Sequence, residues 1–271
     1  MSQPPPPSGP PAPDAGARAA DGAGPAGRSG DPSAPQRPAP GTDLGTDLSA
    51  SLGFAGNALL RSPLAFLGAG ALYMVVMIVV VLGAFVAALL FAIAVVESGP
   101  APGDELTAGQ FLLTIAVSVG VVVVSMPVAL LWQAGAARAG GVILEGGRPT
   151  FGQALVGPGR VFLTALLVMV IVVIGTFLLY LPGIIAGVFL MYAIPAAVRG
   201  ASPVAALKES VALARAHLGT TVVGYLALMV ASYAGSMVVI GMIAAIPFGV
   251  LLQLALYERL NGRELPEPAK A

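Results

Sequence analysis

Four long stretches of this chain contain no Asp, Glu, Lys or Arg: residues 62–96, 106–137, 161–198 and 218–257. About 20 apolar residues in a helix span the hydrocarbon core of a bilayer. The first two stretches therefore hold one crossing each, and the last two are long enough for two. Turn signals interrupt both longer stretches: Leu-Pro-Gly at 181–183 in the third, and Gly241 with Ile-Pro-Phe-Gly at 246–249 in the fourth. The pattern predicts six transmembrane helices, at about residues 66–96, 108–134, 161–181, 183–198, 218–239 and 242–257.

The charged residues between these stretches predict an orientation. The first connector, residues 97–105, holds three acidic residues and no basic one. The next connectors carry six basic residues: Arg138, Arg148, Arg160, Arg199, Lys208 and Arg215. Because cytoplasmic loops collect Lys and Arg, we expect a multi-pass protein of the cytoplasmic membrane with both termini in the cytoplasm. The alternative is five helices, with the C-terminus outside.

Composition supports an all-α, polytopic membrane protein. The chain is 57% hydrophobic and only 10% charged, with a mean hydropathy of +0.90. It has no cysteine, which excludes disulfides, iron–sulfur clusters and thiolate metal sites. Its formal net charge is zero, so no attraction to nucleic acid is indicated.

Three regions follow from the change of composition along the chain. Residues 1–45 are rich in Pro, Gly and Ala and cannot bury enough apolar surface to fold, so they form a predicted disordered tail. Residues 46–262 form the predicted six-helix membrane domain. Residues 263–271 form a short C-terminal tail.

Short amphipathic helices are predicted between the spans. Ser202 is a suitable N-cap and Pro203 suits the first turn of a helix that reaches residue 218. One face of this helix carries Val204, Leu207, Val211, Ala214 and Leu218, and Lys208 and Arg215 lie off that face. The pattern is typical of a helix in the cytoplasmic interface, or of a connector packed under the bundle. Similar segments at 54–61 and 151–156 suggest three units, each an amphipathic helix followed by a transmembrane hairpin.

The reactive side chains in the sequence predict that the protein is not an enzyme. His217 is the single histidine, and no Asp or Glu lies within an apolar stretch. No nucleophile and base can pair, and no ligand set for a metal exists. We therefore assign no catalytic, cofactor or metal site. Gln133 and Gln253, beside Trp132 and Tyr257, are expected to anchor span ends at the membrane interface, with a cavity lining as the alternative.

Several short motifs resemble a bacterial membrane-domain family. They are Leu-Pro-Gly at 181–183, Pro-Ala-Ala-Val at 195–198, Ser-Pro-Val-Ala-Ala-Leu-Lys-Glu-Ser at 202–210, Gly-Gly-Arg-Pro at 146–149, Ala-Leu at 154–155 and Leu-Tyr-Glu-Arg-Leu at 256–260. The family includes stand-alone proteins of unknown function and the membrane domain attached to some glycerophosphodiester phosphodiesterases, whose catalytic domain this chain lacks. The resemblance covers about residues 50–262 and implies six helices and no particular activity.

Together these observations predict a non-enzymatic membrane protein that contacts lipids, other membrane proteins or a second copy of itself, and no nucleic acid. The six basic residues of the connectors are the candidate contacts to lipid headgroups. The alternative function is a transporter or channel for a neutral or apolar solute, because the spans carry only weakly polar side chains.

Overall fold

The computed structural model describes residues 38–97 and 108–267, where all regular secondary structure is helical. The helices are α1 (Leu44–Arg61), α2 (Ala69–Glu97, after a π-helical turn at Leu64–Gly68), α3 (Ala108–Leu144), α4 (Phe151–Leu155), α5 (Gly159–Leu179), α6 (Leu181–Phe189), α7 (Ala193–Val198), α8 (Pro203–Ala216), α9 (Leu218–Ser236) and α10 (Val239–Leu260). Most of the predicted tail, nearly all of the first connector and the last four residues lie outside the described residues.

Within residues 38–97 and 108–267, six helical segments are long and apolar enough to cross a membrane, which is the number that the sequence predicts. They are Leu64–Ala94, Val123–Leu144, Phe151–Leu179, Leu181–Val198, Leu218–Ser236 and Gly241–Leu260. The fourth consists of α6 and α7, which are separated by a break at residues 190–192. The architecture is therefore compatible with an integral membrane protein.

Two tight turns divide the longer apolar stretches. Tyr180 separates α5 from α6, beside the Leu-Pro-Gly signal. The backbones of α5 and α6 approach so closely there that a Cβ atom on Gly183 would lie 2.1 Å from the Thr176 hydroxyl oxygen. The last stretch turns at residues 237–238, three residues before the turn that the spans 218–239 and 242–257 predict. Pro247 lies inside α10, where a missing N–H bends a helix without ending it.

The order of the elements agrees with the hypothesis of three units. Helix α1 precedes the α2–α3 hairpin, α4 precedes α5 and α6–α7, and α8 precedes α9–α10.

Helix α1 begins at an N-cap, Asp43, whose carboxylate accepts a hydrogen bond from the Thr46 N–H at 2.7 Å. Hydrogen bonds from Thr46 hold the pKa of the Asp43 carboxyl below its usual value.

The hydrophobic core lies towards one end of the bundle. Its residues come from the second half of α3, from α7 and the second half of α10, and from the inner faces of α1 and α8. We call this end the basic end, because the connectors that carry Arg and Lys meet there. At the opposite end Phe177 is 84% exposed, and along α2 Val79 is 65% exposed. Such continuous exposed apolar surface suits contact with lipid.

Helix α8 buries a face of small side chains that overlaps only partly with the predicted apolar face. Its fully buried residues are Ala206, Ser210 and Ala214, whereas Val204 and Leu218 are exposed. The small side chains allow α8 to lie close against α5, α6 and α7, and Ser210 gains buried hydrogen bonds there. Of the predicted apolar face, Ala214 is buried, and Leu207 and Val211 are half-buried. Close helix contact selects for small side chains, which a ranking by hydrophobicity does not identify.

Candidate functional site

Buried ion pairs hold the last turn of α10 at the basic end. The Arg259 guanidinium donates to the Asp47 carboxylate of α1 at 2.8 Å and to Glu264 at 2.9 Å. Asp47 also accepts a hydrogen bond from the Gly41 N–H at 3.1 Å. Both Asp47 and Arg259 are almost fully buried. This cluster joins the first helix of the described chain to the last.

A second cluster centres on Glu258, which is 1% exposed. Its carboxylate accepts a hydrogen bond from the Arg199 Nε at 2.7 Å and another from Arg263. The hydrogen bond to Glu258 raises the pKa of the Arg263 guanidinium above its usual value. Arg199, a predicted headgroup contact, is therefore committed to an ion pair that connects the end of α7 to α10.

Polar side chains also fix α8 in place. The Ser210 hydroxyl donates to the Phe189 carbonyl oxygen at 2.8 Å and accepts from the Tyr192 N–H at 3.0 Å. These bonds satisfy backbone groups that the break between α6 and α7 leaves unpaired. The Tyr257 hydroxyl donates to Glu209 on the same helix. The orientation of α8 is thus set by contacts to both α7 and α10.

Arg138 and Arg160 line one cavity of about 250 Å³ at the basic end. Glu145 and Gln153 add polar groups to its wall. Arg138 donates to the Val156 carbonyl oxygen at 3.0 Å, and the Arg160 Nε donates to the Ala197 carbonyl oxygen at 3.0 Å. These bonds orient both guanidinium groups and use only some of their five donors each. The remaining donors can bind an oxyanion in the cavity.

The outer side of α8 forms a second, shallower cavity of about 360 Å³. Lys208 and Arg215 line it together with Leu207, Val211 and Ala212. Leu207 and Val211 of the predicted apolar face are half-buried and lie beside the two cations. Apolar side chains flanked by bases at a protein surface are typical of a helix that contacts a lipid surface.

A third cavity, of about 260 Å³, lies among α3, α9 and α10. Gln133 and Gln253 both line it, with Ser232 and a majority of apolar side chains. Trp132, by contrast, is buried and its ring stacks on Tyr73 at a centroid distance of 6.0 Å. Tyr257 is buried as well. The two glutamines thus take the alternative role, lining a cavity, and their aromatic neighbours pack inside the protein.

The six predicted contact residues divide into distinct environments. Arg138 and Arg160 share one cavity, Lys208 and Arg215 share another, and Arg199 is paired. Arg148 is exposed in the connection between α3 and α4.

Sequence reasoning missed the buried charges Asp47, Glu258 and Arg259. A signal did exist, because Glu258 and Arg259 lie between the apolar residues Tyr257 and Leu260 on a continuing helix.

Among the described residues no group of three or more His, Asp or Glu side chains could hold a metal ion.

Comparison with known proteins places the chain near uncharacterized proteins. No family model matches it, and no solved structure matches it. It is similar to uncharacterized proteins of two strains of Mycobacterium tuberculosis and of Mycobacterium bovis, with 29% identity over 114 residues in each case. The alignment covers 41% of this chain and 35% of each relative. The matched part therefore spans about a third of the length of these relatives.

Proposed function

We propose that this chain is a non-enzymatic, six-span protein of the cytoplasmic membrane that binds the headgroups of anionic lipids at its cytoplasmic face. Membership of the bacterial family that its motifs resemble is part of this proposal. The observation that carries it is the cavity in which Arg138 and Arg160 converge. Two guanidinium groups that line one cavity suit a phosphate, because a planar guanidinium can donate two parallel hydrogen bonds to it.

The position of α8 supports the same function. Lys208 and Arg215 present cations beside the half-buried side chains of Leu207 and Val211, and both cavities belong to the end of the bundle where the basic connectors meet. A lipid could therefore place its phosphate near the cations and its chains along the apolar surface of the spans. The proposal also includes other membrane proteins, or a second copy of this chain, as further partners.

Replacing Arg138 and Arg160 together by glutamine should weaken binding to phosphatidylglycerol. Each base near an anionic headgroup contributes about 1 kcal/mol, so the double variant should lose roughly thirtyfold in affinity. The difference should shrink as salt is raised, because ions screen the attraction. Native mass spectrometry of the detergent-solubilised protein, titrated with phosphatidylglycerol and with phosphatidylcholine, measures both affinities.

Arg148→Gln is the control, because it removes one positive charge from an exposed position in the neighbouring connection. It should retain most of the affinity. Lys208→Glu with Arg215→Glu tests the α8 surface separately and should give a smaller, salt-dependent loss. A loss of about fivefold in the Arg148 variant, half the free energy lost by the double variant, would show that net charge, and not the cavity, governs binding. Thermal unfolding of each variant separates lost binding from lost folding.

The proposed topology predicts which cysteines an impermeant thiol reagent can reach. Ser98→Cys should be labelled in intact cells, whereas Ser202→Cys and Ala271→Cys should be labelled only after the membrane is opened. The reason is the exclusion of Lys and Arg from the first connector. The native chain has no cysteine, so each variant carries a single reporter. Labelling of Ala271→Cys from outside would support five spans instead of six.

Transport of a neutral or apolar solute is the second candidate function. The cavity lined by Gln133 and Gln253 favours it, since it places amide groups among the spans. Increased permeability of proteoliposomes to a small neutral solute such as glycerol would favour transport over headgroup binding.

A further inference from the structure

Two amide side chains face one cavity at the depth of the apolar spans. Gln253 lies two turns before the end of α10 at Leu260, and Gln133 lies three turns before the end of α3 at Leu144. At 1.5 Å per residue these positions are about 10 Å and 16 Å from the basic ends of their helices. Arg138 follows Gln133 by five residues on α3, about 8 Å along the helix axis, so the cavity lies one to two turns from the arginines of the basic end, on the side of the apolar spans.

Neither glutamine amide makes a hydrogen bond within the part of the chain that the structure describes. Lipid tails offer no hydrogen bonds, so an amide without a partner at this depth is strongly unfavourable. Each amide both donates and accepts. A molecule that satisfies them must itself bring a group that donates and accepts, such as a hydroxyl.

The rest of the cavity defines the remainder of the ligand. Its wall carries no charged side chain, and apart from the two glutamines and Ser232 it consists of apolar groups such as Leu228, Ile246 and Val250. A phosphate entering here would lose its hydration without gaining a counter-charge. A long apolar chain, in contrast, would fit both the cavity wall and the surrounding lipid.

We propose that this cavity binds a neutral lipid that carries a free hydroxyl group, with the hydroxyl at Gln133 and Gln253 and the apolar chains along α9 and α10. Diacylglycerols and long-chain alcohols belong to this class. The site is separate from the headgroup site at Arg138 and Arg160, and it does not depend on that site being occupied. Phospholipids, which carry a charged headgroup, and water alone are the competing occupants.

The thermal unfolding of the full-length protein in detergent tests this assignment. Dioctanoylglycerol should raise the unfolding midpoint of the wild-type protein by several degrees, because a ligand of the folded state stabilises it. Dioctanoylphosphatidylglycerol, with the same chains and a charged headgroup, is the comparison. Gln133→Leu combined with Gln253→Leu should abolish the rise. This variant should fold at least as stably as wild type, because leucine leaves no amide unsatisfied in the cavity.

Two controls distinguish this site from the headgroup site and from general effects. Gln110→Leu changes a glutamine at the other end of α3 and should keep the full rise. The Arg138→Gln and Arg160→Gln double variant should also keep it, so a failure of headgroup binding leaves this test intact. A photoactivatable diacylglycerol should cross-link to the segments that contain residues 228–232 and 245–253. The proposal is wrong if dioctanoylglycerol gives no rise, if the phospholipid gives an equal rise, or if the leucine variant responds like wild type.

Discussion

Replacing Arg259 by methionine should lower the free energy of unfolding by about 3–5 kcal/mol, because it leaves a buried charge without its partner. The affected carboxylate, Asp47, is 1% exposed, and its second oxygen has no hydrogen-bond partner among the described residues even in the intact pair. Adding Asp47→Asn to the same chain removes the orphaned charge and should recover part of the loss. Far-ultraviolet circular dichroism during unfolding in mixed micelles measures these differences.

The exposed end of the same cluster provides the control. Glu264 also pairs with Arg259, but its side chain is 76% exposed. Glu264→Gln should therefore cost no more than about 1 kcal/mol, as is usual for an ion pair in contact with water. Equal costs for the Arg259 and Glu264 variants would mean that burial of the Asp47 pair does not determine its contribution.

Replacing Gly135 by alanine should destabilise the protein by about 3 kcal/mol or more. A Cβ atom at this position would lie 2.0 Å from the Ala154 carbonyl oxygen, a backbone atom that cannot rotate away. Glycine is needed here because α3 and α4 are in backbone contact. The same contact positions Arg138, one turn further along α3, beside the start of α5. The variant should consequently also bind phosphatidylglycerol more weakly.

Gly120→Ala is the matched control on the same helix. A Cβ atom there would meet nothing within 4 Å. Alanine favours a helix over glycine by about 1 kcal/mol, so this variant should be unchanged or slightly more stable. A comparable loss in both variants would indicate that α3 is sensitive to glycine replacement along its whole length, and not at the contact with α4.

The number of apolar helices could be predicted because a bilayer imposes a strict rule on the sequence. Charged residues are excluded from the spans, so the four charge-free stretches and the Leu-Pro-Gly turn defined the helices. The second turn was harder to locate. The predicted spans 218–239 and 242–257 place it at residues 240–241, whereas the chain turns at residues 237–238 and α10 continues through Gly241 and Pro247.

The candidate sites were predictable only in part, because they depend on contacts between distant segments. The basic connectors indicated Arg138 and Arg160, but their common cavity also requires the helix ends at Val156 and Ala197 that accept their hydrogen bonds. Glu258 and Arg259 resembled ordinary charges flanking a span. Their burial depends on Asp47 and Arg199, which the sequence alone does not place beside them.

The ion pair between Asp47 and Arg259 joins residues that lie 212 positions apart in the chain. During synthesis α1 emerges first and α10 last, so α1 has no partner for its buried face until the final hairpin has inserted. Ribosome-bound chains that stop before α10 should consequently expose α1 to protease, and release of the complete chain should protect it. The last step of assembly is then the packing of α1 against α10. The newly made protein is most susceptible to degradation by quality-control proteases just before that step.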